Sequence, residues 1–119
     1  MNFVLEYEKA QGRTPREVSR EGCDVISSGR KIEVKGKGAP GWDDGGARLA
    51  PQVFDVMKRS SRFFLYVVAN IDSDDPSDYE LFILHKKDIL RHGVQWRGPW
   101  VVRVPKRERD RYRVCRREE

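Results

Sequence analysis

Gly22-Cys23-Asp24-Val25-Ile26-Ser27-Ser28-Gly29-Arg30-Lys31-Ile32-Glu33-Val34-Lys35-Gly36 is the stretch that decides the fold. Two short runs containing β-branched residues flank Ser28-Gly29, a tight-turn signal. The stretch therefore predicts an antiparallel hairpin with strands over 23–27 and 31–35. A two-residue turn sets the register: Ser27 opposite Arg30, Ile26 opposite Lys31, Val25 opposite Ile32, and Asp24 opposite Glu33. Side chains alternate along a strand, so Asp24, Glu33 and Lys35 share one face. Val25 and Ile32 share the other, which is expected to turn toward the core. Directly opposed residues carry β-carbons about 4.5–5.5 Å apart. Two carboxylates so placed repel, and a divalent cation between them would reverse the sign of that interaction.

Two carboxylates and an ammonium on a rigid hairpin suit phosphodiester hydrolysis. Oxygen ligands favour Mg²⁺ or Mn²⁺ over zinc. Such a metal polarises the phosphoryl oxygen and acidifies its bound water. Lys35 would orient the attacking water or offset charge growing on the phosphate. The competing structural reading of Ile32-Glu33-Val34-Lys35 is a half-buried strand with a solvated polar face. The D-x8-E-x-K spacing alone does not separate the two readings in a chain this charged.

Outward from the hairpin, Phe3, Val4, Tyr7 and Ala10 recur at helical spacing over 3–11, with Gly12 as the stop. A short first strand is expected at Glu17 to Ser19. Residues 36–47 read as a glycine-rich loop, followed by a short strand at Arg48-Leu49. Pro51 opens an amphipathic helix carrying Val53, Phe54, Val56 and Met57, which ends near Ser60. Phe63 to Ala69 is apolar on both faces and reads as a central strand. An acidic turn spans Ile71 to Asp78. Tyr79 to His85 is the next strand, and Lys86 to Arg91 a short helix stopped by Gly93. This order predicts an α/β (or α+β) domain on one mixed sheet flanked by helices. The core is expected over 3–90, with a basic extension over 94–119.

The chain has 119 residues, 38% hydrophobic and 36% charged, which suits one domain with a modest core. No run approaches the roughly 20 apolar residues of a spanning helix, and the N-terminus lacks the layout of a signal peptide. A cytoplasmic, membrane-free protein is the expectation. The two cysteines, Cys23 and Cys115, make no disulfide framework. The net charge of +5 points toward a polyanionic partner, nucleic acid first among them.

With those residues in place, Gly22 to Ser27 followed by Lys31 to Gly36 resembles the central motif of the PD-(D/E)xK nuclease superfamily. More narrowly, it resembles the domain family at the C-terminus of the plant protein NO VEIN and the Mrr-like restriction endonucleases. The resemblance covers about residues 3–90, with Arg48 to Val53 at the helix entry and Phe64 to Val68 as the following strand. It departs at Cys23, where an aromatic is usual, and at Ala50 and Gln52. What it implies is a restriction-endonuclease-like fold with Asp24 and Glu33 as metal ligands, joined by the Val34 backbone carbonyl, and Lys35 as the catalytic lysine. Relatives often add a carboxylate from the first helix, for which Glu6 and Glu8 are the candidates. A Mg²⁺-dependent deoxyribonuclease follows, endonuclease before exonuclease, in genome defence or repair. Such cores act as dimers or as parts of larger chains, and both stay open here.

Other residues carry paired readings. Lys37, Arg48, Gln52 and Lys58 could line a phosphate track or be merely solvated. Trp42 could stack on a base or anchor its loop. Trp96 and Trp100 read as core or interface anchors. His85 and His92 are isolated, which argues against metal ligation. Lys106 to Arg117 is a basic tail interrupted by Glu108 and Asp110, either nucleic-acid-binding or salt-bridged. Two alternatives to an active nuclease remain: a nuclease-fold module that binds nucleic acid or a protein without cutting, and a structural interaction domain.

Overall fold

A computed structural model describes residues 1–42, 46–95 and 97–114. The chain forms α1 (Asn2–Ala10), β1 (Pro15–Glu17), β2 (Val25–Ser27), β3 (Arg30–Gly36), β4 (Ala47–Leu49), α2 (Pro51–Arg59), β5 (Phe63–Ala69), β6 (Glu80–His85), α3 (Lys86–His92), β7 (Gly93–Gln95) and β8 (Trp100–Val102). Short 3-10 turns stand at Pro76–Asp78 and Lys106–Arg111. The main sheet has five strands in the order β1-β2-β3-β5-β6. All neighbours are antiparallel except β3 and β5. That parallel pair needs a long crossover, which residues 37–62 supply through β4 and α2.

The hairpin forms as its turn chemistry requires. Ser28 and Gly29 both take positive φ, 47° and 85°, the combination of the two-residue turn that matches strand twist. The register is Ser27 with Arg30, Ile26 with Lys31 and Val25 with Ile32. At the end of α1, Gly12 takes φ +82° and lets the chain reverse after Gln11. Pro51 occupies the first turn of α2, where its missing N–H costs nothing.

Every residue of β5 is buried because both faces of the sheet are covered. On one face Phe63, Leu65, Val67 and Ala69 pack with Val53 and Met57 of α2. On the other, Phe64, Tyr66 and Val68 pack with Val25, Ile32 and Val4 of α1. The result is a layered α+β fold in which α1 and α2 sandwich a mixed sheet. Among the described residues no helix is long and apolar enough to cross a membrane.

Several expectations need correction. The first strand lies at Pro15–Glu17, not Glu17 to Ser19. Val18 N–H still donates to the Asp24 carbonyl, and the chain then turns at Arg20, which takes positive φ. Ala10 is exposed, and Glu8 takes the buried position on α1 beside Val4. β5 is an interior strand between β3 and β6, as its two apolar faces predict. A second, three-stranded sheet (β4-β8-β7) accompanies the first. The segment after residue 93 is thus no appendage: Val101, Val102 and Val104 are buried, and the last two join the α2-side core. Trp100 packs on Phe54 at 4.7 Å and donates its indole N–H to the Ile89 carbonyl at 3.1 Å. Trp96, Cys115, Arg116 and Arg117 lie outside the described residues.

Candidate active site on the β2–β3 hairpin

Glu33 and Lys35 alternate with Ile32 and Val34 along β3, so they face α2 while their neighbours face α1. Lys35 Nζ lies 3.2 Å from Glu33 Oε2. The Glu33 face is not a solvated surface: Glu33 is 6% exposed. Asp24 stands just past the regular ladder. Its backbone N–H donates to the Ile32 carbonyl at 2.9 Å, although the register has already paired Ile32 with Val25. Two successive residues thus oppose one, as in a bulge. The Asp24 carboxylate takes the place of a strand carbonyl, and its Oδ2 accepts the Val34 N–H at 2.8 Å. The simple face-to-face opposition read from the sequence is therefore replaced by a splayed one. The two carboxyl groups still meet.

Their meeting shows in the electrostatics. Burial is the largest influence on Glu33, the negative charge of Asp24 adds to it, and the Lys35 ammonium offsets only part. The Glu33 carboxyl is pushed up to about 7, and it shares a hydrogen bond with Asp24. A cation beside the two carboxyl groups would offset that unfavourable charge.

The pair opens into a groove of about 660 Å³ between the hairpin and α2. Gly22, Cys23, Lys31, Gln52, Val56 and Arg59 contribute to its walls. Gly22 takes φ +72°, and a β-carbon there would stand 2.2 Å from Val56 Cγ2. Glycine is thus what lets the loop before Asp24 close against α2. Cys23 is buried with its thiol pKa raised by desolvation, which keeps it unreactive beside the site.

The structure distributes the remaining candidates unevenly. Gln52 lines the groove. Lys58 is exposed on α2 and lies 5.3 Å from the Phe54 ring centroid. Arg48 is exposed on β4. Lys37 donates to the Gly46 carbonyl and sits beyond the far end of β3. Trp42 is 1% exposed and packs against Phe82, so it is a core anchor rather than a stacking platform. Glu6 is exposed and pairs with Lys9. Glu8 is fully buried on the α1 face of the sheet, where it accepts hydrogen bonds from Arg13 and from the Tyr66 hydroxyl. Burial pushes the Glu8 carboxyl up, but those donors outweigh it and hold the group below the ordinary range. A sheet separates both helix carboxylates from Glu33, so neither completes the site.

His92 hydrogen-bonds the Tyr112 hydroxyl, and His85 meets Phe64 edge-on. In the tail, Glu108 pairs with Arg91 and Arg111, and Arg113 pairs with Asp110 and Glu80. Within that segment the ion pairs engage Glu108, Asp110, Arg111 and Arg113. Sequence reasoning missed Lys31 and Arg59 as groove residues. The signal for Lys31 was present, because it shares the β3 face of Glu33 and Lys35. Arg59 depends on how α2 docks, which no local pattern shows.

Among the described residues no group of three or more His, Cys, Asp or Glu side chains gathers as a ligand set. Two carboxylates are what a Mg²⁺ ion commonly takes from a protein, with water and substrate phosphate supplying the rest. The oxygen-only donor pair fits such an ion. No family model matches the chain, and neither the curated proteins nor the solved structures compared with it contain a match.

Proposed function

We propose that this chain is a PD-(D/E)xK-type deoxyribonuclease that hydrolyses DNA phosphodiester bonds, an endonuclease serving genome defence or repair. The observation that carries the reading is the Asp24–Glu33 pair. A buried carboxyl pushed up to about 7 against a second carboxylate, at the mouth of a groove, has no structural purpose in a sheet. Asp24 and Glu33 would hold Mg²⁺ or Mn²⁺, alongside the Val34 carbonyl. When bound, the ion supplies Lewis-acid stabilisation and an acidified water.

The chain's own residues do the rest. Val34 N–H fixes Asp24 Oδ2. Lys35, two residues along the same strand, sets a positive charge beside Glu33, where the phosphate gains negative charge. The wall made by α2 limits water access to Glu33.

A specific observation favours a second reading, a nuclease-fold module that binds nucleic acid or a protein without cutting. Glu8, the helix carboxylate nearest the core, is neutralised by Arg13 on the wrong face of the sheet. Incubation of supercoiled plasmid with Mg²⁺ or Mn²⁺, for wild type beside Asp24→Ala and Lys35→Ala, separates the two. Nicking by wild type alone supports the nuclease. If all three proteins leave the plasmid intact, and metal titration detects no Asp24-dependent binding, the catalytic reading fails and the binding module remains.

A further inference from the structure

Charge is distributed lengthwise along the main sheet. At the end where β3 and β5 begin and β6 finishes, Lys31, Arg59, Arg62, Lys86 and Lys87 come together from separate parts of the sequence. Their closeness is fixed by backbone contacts. Lys31 N–H donates to the Arg62 carbonyl at 2.9 Å, and Lys86 Nζ reaches the carbonyls of Lys58 and Ser60 at 2.9 and 3.1 Å. Arg59, Arg62 and Lys87 are exposed. The acid nearest them on α3, Asp88, is turned back onto the His85 N–H at 3.2 Å. At the opposite end, where β5 leads to β6, the exposed charged side chains of residues 70–79 are Asp72, Asp74, Asp75 and Asp78.

The basic end is continuous with the candidate active site. Lys31 and Arg59 are walls of the Asp24–Glu33 groove, together with Arg20 and the acids Glu21 and Asp55. Arg62, Lys86 and Lys87 line a second hollow of about 510 Å³, floored by Phe63 and Phe64 at the start of β5. Lys31 is the register partner of Phe63, so the two hollows adjoin. Lys37, by contrast, lies at the acidic end: its N–H donates to Val68 and its carbonyl accepts from Ile71.

We infer that the sugar-phosphate backbone of duplex DNA enters the groove from this basic end, held by Arg62 and Lys87 in the outer hollow and by Lys31 and Arg59 at the groove itself. The inference rests on the nuclease reading for what lies at the inner end of the track. It replaces the path through Lys37 and Arg48 with one running the other way. A phosphate chain laid across the acidic end would meet four carboxylates. Laid across the basic end, it displaces counterions from the exposed Arg59, Arg62 and Lys87, of which the two arginines also donate to the Asp55 and Ser28 carbonyls.

The test is fluorescence anisotropy of a labelled DNA duplex with the full chain in EDTA, where no cleavage occurs, over a salt series. The proteins are wild type, Arg62→Glu with Lys87→Glu, and a charge-matched control, Lys9→Glu with Arg103→Glu. All four positions are surface residues, and circular dichroism verifies folding. The expected result is at least about a tenfold loss of affinity for the Arg62/Lys87 variant, a salt slope shallower by about 2, and wild-type-like behaviour beyond a small net-charge effect for the control. Equal losses in both variants would show a net-charge effect only and overturn the track. Wild-type affinity in the Arg62/Lys87 variant would overturn it as well. Displacement of the duplex by poly-glutamate as effectively as by unlabelled DNA of equal charge would overturn it in favour of an acidic protein partner. Metal-dependent nicking is scored separately. An Asp24-dependent nuclease with an unaffected Arg62/Lys87 variant rejects the track alone, and a lost affinity without any nicking rejects the nuclease alone.

Discussion

Replacing Glu33 with glutamine should make the metal-free protein more stable at pH 8. Glu33 is 6% exposed, and its carboxyl is raised from an ordinary 4.5 to about 7 by burial and by Asp24. A group raised in the folded state contributes stability that is complete below its unfolded value and is lost as pH climbs through the folded one. Wild type should therefore weaken progressively between about pH 4.5 and 7. The gap between those values corresponds to a ceiling of about 3 kcal/mol. Glutamine keeps a donor for Asp24 but leaves Lys35, whose side chain is 33% exposed, without its partner. A net gain of about 1–3 kcal/mol for Glu33→Gln at pH 8 is the expected outcome. It is read from urea midpoints in EDTA, with the pH dependence between 5 and 8 flattened relative to wild type. At pH 5 the two proteins should differ little. Added Mg²⁺ should then stabilise wild type and not the variant, because only a bound ion shifts the equilibrium by mass action. A variant that is less stable than wild type at pH 8 would refute the idea that Glu33 is a strained carboxyl kept for function.

Two further outcomes follow from the other buried polar and aromatic groups. Glu8→Gln should cost about 3 kcal/mol, because it leaves Arg13 facing a buried site without its counter-charge, while a joint Glu8→Leu, Arg13→Met change should cost much less; a chemical-denaturation double-mutant cycle measures the difference. Since the Glu8 carboxyl is held below its ordinary value of 4.5, its contribution should be present above that pH and disappear as acid protonates it, so Glu8→Gln should narrow its gap to wild type as pH falls below 4.5. Trp42→Ala should cost about 3–5 kcal/mol in stability as a core truncation. Its duplex affinity, measured where the variant is still folded, should match wild type, the reverse of what a base-stacking tryptophan would give.

How much of the fold was legible depended on how local its cause is. The β2–β3 turn and the register of Val25 to Ser27 were readable because Ser28-Gly29 dictates both, whereas the bulge at Asp24 was not. α2 and β5 were readable because Pro51 and an unbroken apolar run mark them. β7 and β8 were missed for the opposite reason. Each has three residues, and they straddle Gly98-Pro99 in a segment whose charge suggested an appendage. Their stability comes from β4, some fifty residues earlier, through the pairing of Ala47 with Val102 and Leu49 with Trp100. Such pairing leaves no periodic trace at either end. Trp42 was ambiguous for the same cause: a tryptophan in a glycine loop is a platform or an anchor according to what folds over it, and here that is Phe82.

The candidate site divides along the same line. Alternation along β3 was sufficient to place Glu33, Lys35 and Lys31 together, and the turn was sufficient to bring Asp24 near them. What alternation could not supply was the state of each carboxylate. Glu8 and Glu33 are both buried glutamates facing the two sides of one sheet, and the sequence offered both as ligands. Glu8 meets Arg13 and Tyr66, so its charge is neutralised within the protein and nothing further is required of it. Glu33 meets a second acid and one partly exposed lysine, so its charge is left under-compensated. Protein folding alone would remove such a residue, since a neutral side chain of the same size fits the strand at lower cost. A carboxylate in that position, opening into the groove beside α2, is the feature a purely structural reading of the hairpin has to explain away. It is also the one that Glu33→Gln puts directly to the test.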